Sequence, residues 1–329
     1  METKIYPISD KNIEKAKEIL LCSGVVAIPT ETVYGLGAIG YDEQAVKKIF
    51  EIKGRPSDNP LIAHVHKDFD LTKLVKIEQE YAYKLIEKFT PGPLTMVFLS
   101  KGVICSQATC GGQTLAVRIP SHAGCQKLLK AVDAPIVAPS ANLSKHTSPV
   151  TAQHVLDDLK GKLEMILDGG KCTGGIESTV LDCTGEVPRI LRAGLITKEM
   201  IESVCGRCEI AMHKPTDAVR SPGVKYRHYR PKCQTALYEE SEILEVIARY
   251  EKEEENGNNP YVMCSESVAK NFAGKRILSL GNGSEEIASN LYDKLLEGEK
   301  KAGIIIAVAM PDEKGINLGI MNRLRKSCG

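Results

Sequence analysis

Tryptophan is absent from the 329 residues, and aromatic side chains make up only 5% of them. Little surface is therefore on offer for stacking nucleobases. Charge of one sign is missing too. Against 42 Asp and Glu stand 43 Lys and Arg, a formal net charge of +1. That excludes a broad basic surface gripping nucleic acid by charge alone, and leaves room for a local basic cleft. No apolar run approaches the roughly 20 residues that a membrane span requires. Met1-Glu2-Thr3-Lys4 leads into a charged amphipathic helix rather than an apolar signal core. Eleven cysteines in a chain this long form no dense disulfide framework, so a reducing cytoplasm is the expected location. Cys205-Gly206-Arg207-Cys208 has no second pair with which to build a zinc site. Walker A, G-x-S-x-G and H-E-x-x-H signatures are all lacking.

What is present centres on Lys53-Gly54-Arg55-Pro56-Ser57-Asp58-Asn59-Pro60-Leu61. A helical apolar pattern over Asp42–Ile52 precedes it, and a strand-like run over Leu61–Val65 follows. Gly54 and Pro56 should end the helix and Pro60 should fix the start of the strand. Lys53 and Arg55 are then presented from a stiff connector, suited to gripping a polyanion.

The first 210 residues alternate short β-rich runs with amphipathic helices. Strands are expected over 25–28, 61–65, 94–99, 114–119, 135–138, 164–167, 178–182 and 189–192. Helices are expected over 10–22, 42–52, 78–89, 123–132, 152–159 and 198–205, with Ser9, Thr151 and Thr197 as N-caps. Strands outnumber helices, so the sheet should be twisted and mixed, with hairpins as well as crossovers. Residues 211–232 lose periodicity and read as a linker. Residues 233–329 return to a regular βαβα alternation, which suits a small Rossmann-like three-layer domain.

Several constellations could carry chemistry. Gly35, Gly37 and Gly40 formally match G-x-G-x-x-G, but no helix starts until Asp42. They are better read as allowing a close backbone approach, or φ > 0, beside a pocket. Pro139-Ser140-Ala141-Asn142-Leu143-Ser144 follows an apolar strand, where a ligand crevice would lie. Arg118 and Arg192 close strands, and Glu177-Ser178-Thr179 enters one. Such an inventory supplies positive charge and positioning with little covalent chemistry.

These motifs together resemble the YrdC-type L-threonylcarbamoyladenylate synthases. They are Thr30–Ala38, Lys53-Gly54-Arg55-Pro56 with Asn59-Pro60-Leu61, Phe89–Thr95, Val117–Pro120, Ser140-Ala141-Asn142 and Glu177-Ser178-Thr179. The resemblance covers about the first 210 residues in motif order. Ser221-Pro222-Gly223-Val224-Lys225-Tyr226-Arg227-His228-Tyr229 resembles the hallmark of the longer, two-domain form.

The resemblance implies that L-threonine, bicarbonate and ATP form threonylcarbamoyl-AMP with release of pyrophosphate. This is the first step of a tRNA modification, with handover to the tRNA threonylcarbamoyl-transfer machinery. Lys53 and Arg55 would be the catalytic clamp on the triphosphate. Asn59, Thr114, Ser140, Asn142, Ser148 and Arg192 would surround the nucleotide, with His228 and Tyr229 folding over it as a lid. Thr32, His64, Arg118 and Ser178, with backbone near Ala138, would hold threonine. Mg²⁺ would arrive with ATP and need no dedicated protein site. Strong direct nucleic-acid binding and membrane association are not expected. Two departures from the family pattern are Lys145, where Gly commonly follows the Ser-Ala-Asn-x-Ser run, and Ala193, where Pro often follows the last Arg. Two alternatives share the fold: a carbamoyl-transferring maturation factor, whose zinc-finger cysteines and acylphosphatase module this chain lacks, and a non-catalytic RNA-binding module.

Overall fold

The computed structural model describes residues 1–56, 59–211 and 229–329. Two sheets organise them. The larger has twelve strands, and its order begins Lys4–Pro7, Met165–Asp168, Val26–Ile28, Gly35–Ile39, Ile136–Ala138, Ile62–His64. It continues through Thr114–Arg118, Leu94–Ser100, Thr179–Asp182, Arg189–Arg192 and Glu209–Ile210, with Val75–Lys76 added alongside Leu94–Ser100. Pairing is mixed, as the excess of strands over helices implied. Ile62–His64 runs parallel to Thr114–Arg118 and antiparallel to Ile136–Ala138. Apolar faces of the flanking helices cover the sheet; Ala45, Val46, Ile49 and Phe50 of Glu43–Lys53 are all buried.

Local chemistry sets the helix ends. The hydroxyls of Ser9, Thr151 and Thr197 accept from backbone N–H groups in the first turns of their helices, satisfying donors that the helix itself cannot. Asp42 caps the helix Glu43–Lys53, and Gly54 ends it in a left-handed conformation, φ +57°. Lys53 is thus the last helical residue, one turn position earlier than a connector residue would be. Gly35–Ile39, which holds two of the three glycines read as allowing a close approach or φ > 0, is a strand, antiparallel to Val26–Ile28 and to Ile136–Ala138. Its glycines sit at ordinary negative φ. A Cβ on Gly37 would lie 2.8 Å from Ile136 Cγ2, so close packing rather than unusual φ is what requires Gly there.

The second sheet is all-parallel, in the order Gln234–Tyr238, Ile304–Val308, Pro260–Cys264, Ile277–Ser279, and helices flank it. One face of it packs into a core of its own, with Val262, Cys264, Ile304 and Ile306 against Val246, Tyr250 and Phe272; the other face does not. Met263, Leu278, Leu291 and Ile320 belong to the same apolar cluster as Leu36, Val117 and Ile176. Backbone approaches backbone where the two parts meet. At Gly175 (φ +68°) a Cβ would lie 2.4 Å from the Ala288 carbonyl oxygen, and one on Gly319 would lie 3.3 Å from the Gly194 Cα. Among the described residues, no helix is long and apolar enough to cross a membrane.

Candidate functional site

A cleft opens where the carboxyl ends of the central strands meet the Pro139–Ser148 loop. Lys53, Arg55, Ser140, Asn142, Ser148 and Arg192 line it on one side of the expected assignment. Thr32, His64, Arg118, Ala138, Ser178 and Tyr229 line it as well. The structure therefore brings together most of the residues singled out from sequence, from segments more than a hundred positions apart.

Asn59 and Thr114 do not line the cleft. Thr114 begins the strand that Arg118 ends, which separates them by ~13 Å. The register pairing Ile62 with Ala116 puts Thr114 toward the Asn59–Pro60 end. Asn59 is fully buried, and neither polar atom of its side chain has a hydrogen-bond partner among the described residues. His228 lies outside the described residues.

Lys53 is 3% exposed, and its ammonium donates to the carbonyl oxygens of Ser140 and Asn142, each at 2.5 Å. In return, the Ser144 N–H donates to the Lys53 carbonyl at 2.8 Å. The helix end and the loop are locked together, and one ammonium proton remains for a ligand. Burial, and then the nearby charge of Arg55, hold the Lys53 pKa well below its usual value. The Arg55 guanidinium donates to the Asn59 carbonyl at 2.9 Å, which shapes the connector around the cation. Asp158 fastens the far side of the loop, accepting from the Leu143 N–H at 2.6 Å and from His146 Nδ1 at 2.8 Å. Lys145 within this loop has φ +74°, the conformation that glycine favours.

At the inner end, Thr30 organises its neighbours. Its hydroxyl donates to the Val33 carbonyl at 2.7 Å and accepts from the Thr32 N–H at 3.1 Å. The Thr32 hydroxyl is thereby turned to accept from Arg118 at 2.8 Å. Arg118 also forms an ion pair with Glu31 at 2.8 Å, off the line of a hydrogen bond. Burial pushes the Glu31 carboxyl up, but the charge of Arg118 and the N–H groups around the carboxylate together outweigh it and the pKa is lowered. His64 Nδ1 lies 3.0 Å from the Ile62 carbonyl oxygen. That oxygen can only accept, so Nδ1 carries the proton and Nε2 is the acceptor. Burial and then Arg118 lower the His64 pKa to about 3, which keeps the ring neutral. The Arg192 guanidinium donates to the Ser178 carbonyl from Nε at 3.1 Å and to the Ser178 hydroxyl at 3.2 Å. The Thr95 and Ser178 hydroxyls are 2.7 Å apart.

Sequence reasoning missed Asp158, Tyr292 and Arg323, and quoted Glu31 and Glu177 within their motifs without a role. Arg323 carried a signal: it stands within an apolar helical pattern of Ile320, Met321 and Leu324, all buried, where a cation must find a partner. The other omissions carried none, because single carboxylates and tyrosines in amphipathic segments look like surface.

The fold and cleft together define a two-domain α/β protein with a cation-lined crevice at strand ends, shaped for an anion and a small polar ligand. The family described as "Telomere recombination", that of Sua5, YciO and YrdC, matches residues 18–194, and "Threonylcarbamoyl-AMP synthase, C-terminal domain" matches residues 196–329. The chain belongs to this Sua5/YrdC family, in its two-domain form. It is 43% identical to the threonylcarbamoyl-AMP synthase of Pyrococcus abyssi, over 93% of this chain and 90% of that one. To the threonylcarbamoyl-AMP synthase of Bacillus subtilis it is 41% identical, over 98% of this chain and 94% of that one. The crystal structure of P. abyssi Sua5 complexed with L-threonine superimposes with a TM-score of 0.92 at 40% identity, covering 99% of this chain and 97% of that one. The E. coli YciO structure, at 23% identity and a TM-score of 0.53 over 59% of this chain, shares the fold of the N-terminal part.

Proposed function

We propose that this protein is an enzyme that makes L-threonylcarbamoyl-AMP from L-threonine, bicarbonate and ATP, releases pyrophosphate, and supplies the adenylate to tRNA threonylcarbamoyl transfer. The observation that carries the reading is the convergence of Lys53, Arg55, Arg118, Ser140 and Arg192 on one cleft, in a chain 41–43% identical over nearly its full length to proteins named for this activity.

The chemistry asks little covalent work of the protein. The threonine ammonium and bicarbonate give a carbamate, one water and one proton. A carbamate oxygen then attacks the α-phosphorus while the bond to the bridging oxygen of the β-phosphate breaks, and pyrophosphate leaves with that electron pair. Catalysis is then orientation plus charge neutralisation. Arg118 would receive the threonine carboxylate, with Thr32 beside it. The neutral His64 ring would accept from the substrate's hydroxyl or amine through Nε2. Lys53 and Arg55 would meet the phosphates, where the planar fork of Arg and the point charge of Lys are not interchangeable. Tyr229, 5% exposed against the loop, would close the nucleotide side.

Mg²⁺ would arrive as part of the nucleotide substrate. No cluster of three or more His, Cys, Asp or Glu side chains suited to a metal occurs among the described residues. Glu177, the carboxylate in the cleft lining, is engaged by Arg323. Phosphate oxygens and water would therefore supply the ion's ligands. Cysteines that are all free accord with a cytoplasmic protein.

The deciding experiment follows pyrophosphate in the presence of threonine, bicarbonate, ATP and Mg²⁺. Threonine-dependent release is expected, and release indifferent to threonine would refute the reading.

A further inference from the structure

Glu177 stands in the cleft wall one residue before Ser178 and is 7% exposed, yet the reaction above gives it nothing to do. Its carboxylate is held from both domains. Oε1 accepts from the Ser148 hydroxyl at 2.7 Å. Oε2 accepts from the Tyr292 hydroxyl at 2.9 Å and from Arg323 Nε at 3.1 Å. Tyr292 lies on the helix Gly283–Lys301 and Arg323 on the helix Ile316–Cys328, both in the C-terminal domain. Arg323 is fully buried and also donates to the carbonyls of Ala193 and Gly319. The Tyr292 ring packs on Tyr229 with centroids 5.3 Å apart. Among the contacts of Ser148, the one to Glu177 fixes a direction. An ionised carboxylate only accepts, so Ser148 must give its single proton to Glu177. Burial opposes ionisation of Glu177, but Arg323 and then Arg192 outweigh it and bring its pKa down to about 2. The Ser148 oxygen is then left with lone pairs alone to face the cleft.

We propose that Glu177, fixed by Tyr292 and Arg323 of the C-terminal domain, holds Ser148 as a hydrogen-bond acceptor for a donor group of the nucleotide, either a sugar hydroxyl or a base amine. The inference rests on the ATP reading of the cleft. It makes the C-terminal domain part of nucleotide recognition, with Glu177, Tyr292 and Arg323 as positioning residues. A neutral or rotated Glu177 would free the Ser148 proton and present the wrong polarity to the ligand.

The test is calorimetric titration of the full-length protein with MgATP and, separately, with threonine. Tyr292→Phe keeps the ring on Tyr229 and loses only the hydroxyl; MgATP binding should weaken three- to tenfold while threonine binding moves less than twofold. Arg323→Met should weaken MgATP binding more, and Arg323→Lys should recover part of the loss. In a Ser148→Ala background, Tyr292→Phe should have no further effect, a non-additivity that a merely structural role would not give. Titration with 2′-deoxy-ATP, 3′-deoxy-ATP and ITP separates the donor: the analogue missing the partner group should bind wild type more weakly and Ser148→Ala no more weakly than ATP does. Tyr292→Phe and Arg323→Lys binding MgATP as wild type does, or effects that add to Ser148→Ala, would overturn the inference alone. A wild-type protein that does not bind MgATP would overturn the ATP reading and this inference together.

Discussion

Arg118 and Glu31 meet at 2.8 Å with both side chains buried, Arg118 in the cleft wall and Glu31 behind it. The cation expected to receive a substrate carboxylate thus already has a carboxylate of its own. Removing only the negative partner leaves a desolvated guanidinium, so Glu31→Gln should cost about 3 kcal/mol of unfolding free energy. Arg118→Met added to it should restore part of that loss, because no unpaired charge remains. Denaturant titration of the two singles and the double checks this; strictly additive losses would mean that the pair does not act as a unit.

The two cations of the opening motif should separate on mutation. Arg55→Ala removes charge from the connector and should lower turnover by about 10²-fold with little change in melting temperature. Lys53→Met removes charge and also the tie from the helix end to Ser140 and Asn142, so turnover and melting temperature should both fall. Equal thermal behaviour of the two variants would show that the Lys53 contacts do not hold the loop.

Lys145 has a left-handed backbone at φ +74°. An L-residue there is strained by about 1–2 kcal/mol, and glycine gives back about 0.5–1 kcal/mol through its freer unfolded chain. Lys145→Gly should therefore stabilise the protein by about 0.5–1 kcal/mol in chemical denaturation. A destabilised variant would mean that the lysine side chain makes a compensating contact.

Acid should destabilise the fold through His64. The ring titrates near 6.5 in the unfolded chain and is lowered to about 3 in the folded one. The unfolded state takes up the proton first, so this contribution is complete above pH 6.5 and shrinks as pH falls toward 3. By pH 5 about 2 kcal/mol of it is lost. Melting curves between pH 7 and 5 should fall more gently for His64→Gln than for wild type; parallel slopes would assign the acid sensitivity to other groups.

Much of the site was legible because its chemistry is concentrated in short polar runs at strand ends. Thr32, Lys53, Arg118, Ser140 and Arg192 could each be named from such a run, and the cleft gathers them. Gly35–Ile39 was not legible as a strand, since glycines that pack tightly and glycines that turn look alike in sequence. The two βα-rich regions were visible from periodicity. Their shared apolar cluster was not, because Met263 or Leu278 facing a neighbouring domain has the same pattern as one facing its own helix. Glu177 and Arg323 are 146 positions apart, and nothing local in either segment announces the other.

The glycines at the seam between the two parts set a rule for how such chains can change. At Gly175 even a methyl group would collide with the Ala288 and Ser289 backbone, and one on Gly319 would press on the Gly194 backbone at 3.3 Å. The halves therefore fit each other as a key fits its own lock, at the level of main chain rather than exchangeable side chains. A hybrid joining the first half of this protein to the second half of a distant relative should close only where the residue at position 175 is still glycine and the backbone facing it keeps the same path.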